Sequence, residues 1–125
     1  MGRPIFDEAR IHPAIRERIA GWGVAIVKEV QQVVQSKDLV VVGMKTNPAP
    51  RKARKLLDAA GIEYTYLEYG SYLSGWRRRL PLKLWTGWQT FPMIFVRGVL
   101  IGGASDLEKL MASGALPQML KKDSE

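Results

Sequence analysis

Apolar positions along residues 11–36 recur every three or four residues: Ile11, Ile15, Ile19, Trp22, Ile26, Val30 and Val33. That spacing lays them on one stripe and predicts a long leading helix packed on a sheet. Pro13 suits the first turn, where its missing N–H is not needed. His12 stands just before it as a surface or capping residue. Gly21 and Gly23 each cost about 1 kcal/mol against alanine inside a helix, so they imply a kink or a close approach to a neighbour. After a turn at 36–38, residues 39–42 (Leu-Val-Val-Val) form a β-branched run typical of a strand covered on both faces. A loop at 44–47 leads to a second helix whose buried stripe is Ala49, Ala53, Leu56, Leu57 and Ala60, closed by Gly61. Alternation over 62–67 predicts a second strand, and strand–helix–strand makes a parallel pair with a right-handed crossover.

The later pattern is less regular. Helical turns are predicted over 74–85, with a kink or restart at Pro81. Residues 93–96 and 99–101 read as two short strands joined by a turn at Arg97 and Gly98. Gly102 and Gly103 follow. Ser105-x-x-Glu108 then reads as a capping box opening a helix over 106–111, and a short helix at 116–120 comes last.

Composition narrows the chemistry. The chain has 125 residues, 46% hydrophobic and 25% charged, the balance of a globular protein. One domain over 1–125 is expected, with the leading helix at 11–36 and the core at 38–121. No apolar run approaches the roughly 18–20 residues of a membrane span, and the first residues have no signal-peptide pattern; a cytoplasmic location without membrane partners is the expectation. There is no cysteine, and His12 is the only histidine. Disulfides, zinc-thiolate sites, protein-ligated iron–sulfur clusters, thiol nucleophiles and a His-based metal cluster are therefore excluded. The net charge of +7 sits in the middle: residues 45–97 carry 10 basic and 3 acidic side chains. Such a surplus fits an anionic partner or, equally, a solvated face.

Three local sequences carry a resemblance. Thr90-Phe91-Pro92 precedes the third strand, Gly102-Gly103-Ala104-Ser105-Asp106 follows the fourth, and Asn47-Pro48-Ala49-Pro50 opens the basic helix. In this order they resemble the cis-proline, the glutathione motif and the active-site loop of glutaredoxins. The run RLPLKLWTGWQTFP over 79–92 is closer to monothiol members. The resemblance, to a cysteine-free monothiol-glutaredoxin-like protein, implies an α/β thioredoxin-superfamily fold: a central four-stranded mixed sheet flanked by helices, with an extra N-terminal helix.

It also implies where a site lies. Asn47 and Pro50 stand at the lost cysteine positions, so no catalytic residue is expected. Asparagine is among the best N-cap residues and Pro48 suits the first helical position. Thiol–disulfide exchange requires a sulfur nucleophile, and this chain has none. The implied glutathione groove uses the loop Lys45, Thr46 and Asn47. The Phe91 backbone beside cis-Pro92 faces the cysteinyl group, and Gly103, Ala104, Ser105 and Asp106 hold the γ-glutamyl end. Arg79, Lys83 and Lys45 face the glycine carboxylate. Only Thr46 separates Lys45 from Asn47, a shorter loop than monothiol members have, and Gln89 replaces their usual proline. Read without the resemblance, residues 102–106 also suit a plain strand-to-helix turn.

The expected function is a redox-inactive module, linked to thiol and redox homeostasis, that binds glutathione, a glutathionylated protein or another protein partner. It needs no obligatory cofactor and no metal. One alternative is an oxidoreductase or transferase that borrows the thiol of bound glutathione. The other is a basic nucleic-acid-binding module using residues 45–97 with Trp76, Trp85 and Trp88, although no nucleic-acid motif is present.

Overall fold

The computed structural model describes residues 2–71 and 75–121. Four strands form one sheet: β1 (Leu39–Gly43), β2 (Thr65–Glu68), β3 (Met93–Val96) and β4 (Val99–Gly102). Their order is β2-β1-β3-β4, with β1 parallel to β2 and antiparallel to β3, and β3 antiparallel to β4. The helices are α1 (Pro13–Gly21), α2 (Val24–Ser36), α3 (Pro48–Ala59), α4 (Trp76–Thr86), α5 (Ala104–Ala112) and α6 (Ala115–Leu120). This is the four-stranded mixed sheet, flanked by helices and preceded by extra N-terminal helix, that the motifs implied.

Every residue of β1 is buried because the sheet is covered on both faces. Val40 and Val42 join Ile26, Val30, Leu82, Met93 and Phe95 beneath α2 and α4. Leu39 and Val41 join Ala53, Leu57, Ile94, Val96 and Leu107 beneath α3 and α5. Alternation along a strand dictates this division. Each such aliphatic side chain contributes about 1.5–3 kcal/mol on burial, so β1 is the spine of the core.

The leading helix departs from its prediction over 11–36. It breaks after α1 at Trp22 and Gly23, and Gly23 has φ 70°. Only α2 packs on the sheet. α1 buries no residue, and Ile15, Ile19 and Trp22 are exposed, so among the described residues the N-terminal half of the apolar stripe is left largely open. The cause lies in α4. A Cβ on Gly23 would overlap the ring of Pro81, so the chain bends where that ring packs against it. Pro81 in turn does not restart α4, which runs through it from Trp76 to Thr86 with the ring buried. An interior proline costs about 3 kcal/mol in an isolated helix; here its ring fills the space left by the absent Gly23 side chain. The predicted start of this helix at Ser74 lies outside the described residues.

Two boundaries also move. β2 begins at Thr65 rather than Ile62, because the Ile62 N–H donates to the Leu57 carbonyl (3.0 Å) in closing α3. α5 opens at Ala104 rather than Asp106, so Ser105-x-x-Glu108 is not its capping box. Gly103 is the N-cap, and its N–H donates to Asp106 Oδ2 at 2.9 Å. Glu108 instead pairs with Lys52 of α3, at 3.1 Å.

Candidate functional site

The C-terminal end of β1 delivers the chain to the start of α3. Met44 is buried, Lys45 and Thr46 are exposed, and Asn47 is half-buried. Thr46 has φ 63°, a conformation that a β-branched residue adopts at a cost of about 1–3 kcal/mol. Its Oγ1 turns back and donates to the Lys45 carbonyl at 2.6 Å. The Lys45 N–H donates to the Gly70 carbonyl at 2.7 Å, tying the loop to the end of β2.

Asn47 caps α3 as its residue type predicts: Oδ1 accepts from the Ala49 N–H at 3.0 Å, with Pro48 in the first turn. The amide has a second role that the sequence did not signal. Its Nδ2 donates to the Phe91 carbonyl at 3.3 Å, across 44 residues of chain. Phe91 and Pro92 are buried and the bond between them is cis. Pro50 is buried under β1, where a Cβ on Gly43 would come within 2.8 Å of it. Small backbone at Gly43 is what admits the proline.

Gly103 completes the cluster. A Cβ at that position would lie 3.5 Å from the Pro92 carbonyl oxygen and 3.8 Å from Trp88 Nε1. Ala104 is buried and Ser105 exposed at the start of α5, where first-turn amides have no intrahelical acceptor. Asp106 spends one oxygen on the Gly103 N–H. Its role is therefore at least partly that of a cap. Trp88 forms a wall here. Its indole nitrogen is buried with no hydrogen-bond partner among the described residues. Trp85 is core-facing, with its ring centroid 6.3 Å from that of Phe95. Neither tryptophan is an exposed stacking platform.

Of the candidate cations, Lys83 reaches the cluster, with Nζ 5.8 Å from the centre of the Phe91 ring. Arg79 does not. It is 6% exposed and its guanidinium donates to the Tyr69 carbonyl at 3.0 Å. It braces the passage from β2 to α4 instead of facing a groove. The reason is register: Arg79 falls on the buried side of α4 with Leu82, while Arg77 and Arg78 face outward, stacked on Trp76 and Tyr69. Burial, then the hydrogen bond to Glu29, raises the Tyr69 phenol well above its ordinary range. The structure thus joins Asn47, Phe91, Pro92, Gly103 and Lys83, leaves Lys45 and Thr46 on the adjoining loop, and holds Arg79 buried against the Tyr69 carbonyl.

Among the described residues, no group of three or more His, Cys, Asp or Glu side chains comes together as a metal site, and no helix is long and apolar enough to cross a membrane. No sulfur nucleophile exists anywhere in the chain, so it cannot by itself carry out thiol–disulfide exchange.

No protein-family model matches the chain. A glutaredoxin-like protein of Dictyostelium discoideum is 44% identical over 97 residues, covering 78% of this chain and 79% of that protein. Glutaredoxin-3 of Bos taurus is 30% identical over 104 residues, a match that spans only 30% of that longer protein. Among solved structures, the buckwheat glutaredoxin–glutathione complex superposes with a TM-score of 0.70 at 29% identity. That match covers 79% of this chain and 90% of the other. Strand order, helix placement and these relatives agree: the chain belongs to the glutaredoxin family, as a cysteine-free member that has the fold and lacks the thiol.

Proposed function

We propose that this protein is a redox-inactive glutathione-recognition module, serving free glutathione or a glutathionylated protein. The observation that carries the reading is the convergence of Asn47, the cis Phe91–Pro92 edge and Gly103 at the start of α5. Backbone amides at a helix start suit a carboxylate, and Lys83 adds a cation beside Phe91. A related structure, the buckwheat glutaredoxin, is described in complex with glutathione. With no thiol to attack a disulfide, the same groove serves for binding alone.

The Asn47–Phe91 bond sets the strength of that binding. A carbonyl has two lone pairs, so a ligand N–H at Phe91 shares the oxygen with Asn47 or displaces it. A net hydrogen bond of about 0.5–1.5 kcal/mol is at stake, which predicts weak affinity.

An amide chemical-shift titration with reduced glutathione, run beside succinate as an inert dicarboxylate, tests the reading. Shifts specific to glutathione are expected at Asn47, Phe91 and Gly103 to Asp106. Absence of shifts at millimolar ligand, or identical shifts with both anions, refutes it.

A further inference from the structure

Outside the groove, α3 turns a second surface to solvent. Pro48, Arg51, Lys52, Lys55, Leu56 and Ala59 border a shallow, solvent-open surface on this helix. Their spacing places all six on one helical face. The floor is apolar, from Pro48, Leu56 and Ala59, and the rim is cationic, with Arg51, Lys52 and Lys55 all exposed. Lys52 is engaged by Glu108 of α5 at 3.1 Å, a pair exposed on both sides. Among the described residues no acidic group pairs with Arg51 or Lys55.

We infer that this face docks an acidic segment of a partner protein that also presents apolar side chains. Charge complementarity selects the acidic class: the whole surplus of the +7 chain lies in residues 45–97, which contain this helix. The same surplus opposes a second copy of this chain, which would bring cation against cation. The apolar floor selects against nucleic acid, because phosphates reward the rim and leave Leu56 and Ala59 wet. A helix of this length extends about 16 Å from Pro48 to Ala59, beyond the reach of a tripeptide and suited to an amphipathic peptide laid alongside it. The surface starts one residue after Asn47 and runs away from the groove, so its occupancy does not depend on glutathione.

The test uses the intact chain at about 0.15 M salt with fluorescent peptides of about twelve residues, matched to α3. One panel combines Glu or Asp with Leu or Phe on one helical face. Controls are polyglutamate of equal charge and a single-stranded oligonucleotide of equal charge. Saturable binding of the mixed panel is expected, with amide shifts confined to α3. The exposed double variant R51E/K55E, whose melting should be unchanged, is expected to weaken binding about tenfold. E108Q frees Lys52 and is expected to tighten it about twofold. No binding by any mixed peptide overturns the inference. Equal binding of polyglutamate reduces the surface to bulk charge, and tighter binding of the oligonucleotide assigns it to nucleic acid; either result overturns it too.

Discussion

Replacing Asn47 by cysteine (N47C) asks how much of a thiol-activating site remains without its sulfur. Helix starts activate thiols because free amides and the positive dipole end stabilise the thiolate. At α3, Pro48 and Pro50 contribute no N–H, so the Ala49 amide, now given to Asn47 Oδ1 at 3.0 Å, is the donor that remains in the first turn. One hydrogen bond to a charged group is worth about 1.5–3 kcal/mol. The helix end adds about 0.3–1 kcal/mol at an exposed site, and partial burial of the position subtracts from the sum. A net of roughly 1.5–3 kcal/mol, at 1.36 kcal/mol per tenfold, gives a ten- to hundredfold larger acid dissociation constant than the unfolded thiol. The assay is alkylation rate against pH, measured for N47C folded and again in urea. The folded midpoint should lie at lower pH. Coincident midpoints, or a folded midpoint at higher pH, would refute the claim that this helix start retains its electrostatic character.

Other substitutions separate structure from binding. N47A removes both the cap and the donor to Phe91; it should cost about 1–2 kcal/mol in urea unfolding yet tighten glutathione binding three- to tenfold by titration, since the Phe91 carbonyl is released. R79A deletes a buried donor to the Tyr69 carbonyl and should cost about 2–4 kcal/mol by the same unfolding measurement, with glutathione-induced shifts at Gly103 to Asp106 unchanged; loss of those shifts in a folded variant would return Arg79 to the groove. G23A meets both a positive φ and the Pro81 ring, so a loss of about 2–3 kcal/mol is expected. In G23A/P81A the steric part should be recovered, giving a strongly non-additive cycle. Burial, then the bond to Glu68, pushes the Tyr66 phenol up to about 12. The unfolded phenol, near 10, releases its proton first, so the stabilisation is complete below pH about 10 and is lost as pH rises toward 12. Melting temperature should fall across that window, and Y66F should flatten the fall.

The absence of cysteine rules out thiol chemistry whatever the fold, because no fold can supply a missing thiol. Lack of a thiol and resemblance of the fold are separate facts, since a fold hosts functions without dictating them. Glutaredoxin-type redox catalysis is the one activity this member has given up outright.

The elements around β1, the cap at Asn47 and the crossover to β2 were legible along the chain. Those features rest on local rules: β-branched runs, N-cap chemistry and glycine at a helix end. The family resemblance of three short motifs pointed to Asn47, Phe91, Pro92 and Gly103, which the fold brings together. The rest follows from how the elements pack. Whether a polar residue faces a groove or a core depends on helix rotation, and that rotation buried Arg79 while leaving Lys83 beside Phe91. The bond from Asn47 to Phe91 joins residues 44 apart, a distance over which no periodicity speaks. Gly23 and Pro81 each read as a local defect in its own helix. Packed together, one fills the space the other leaves, and that complementarity is a property of the pair, visible once α2 and α4 meet.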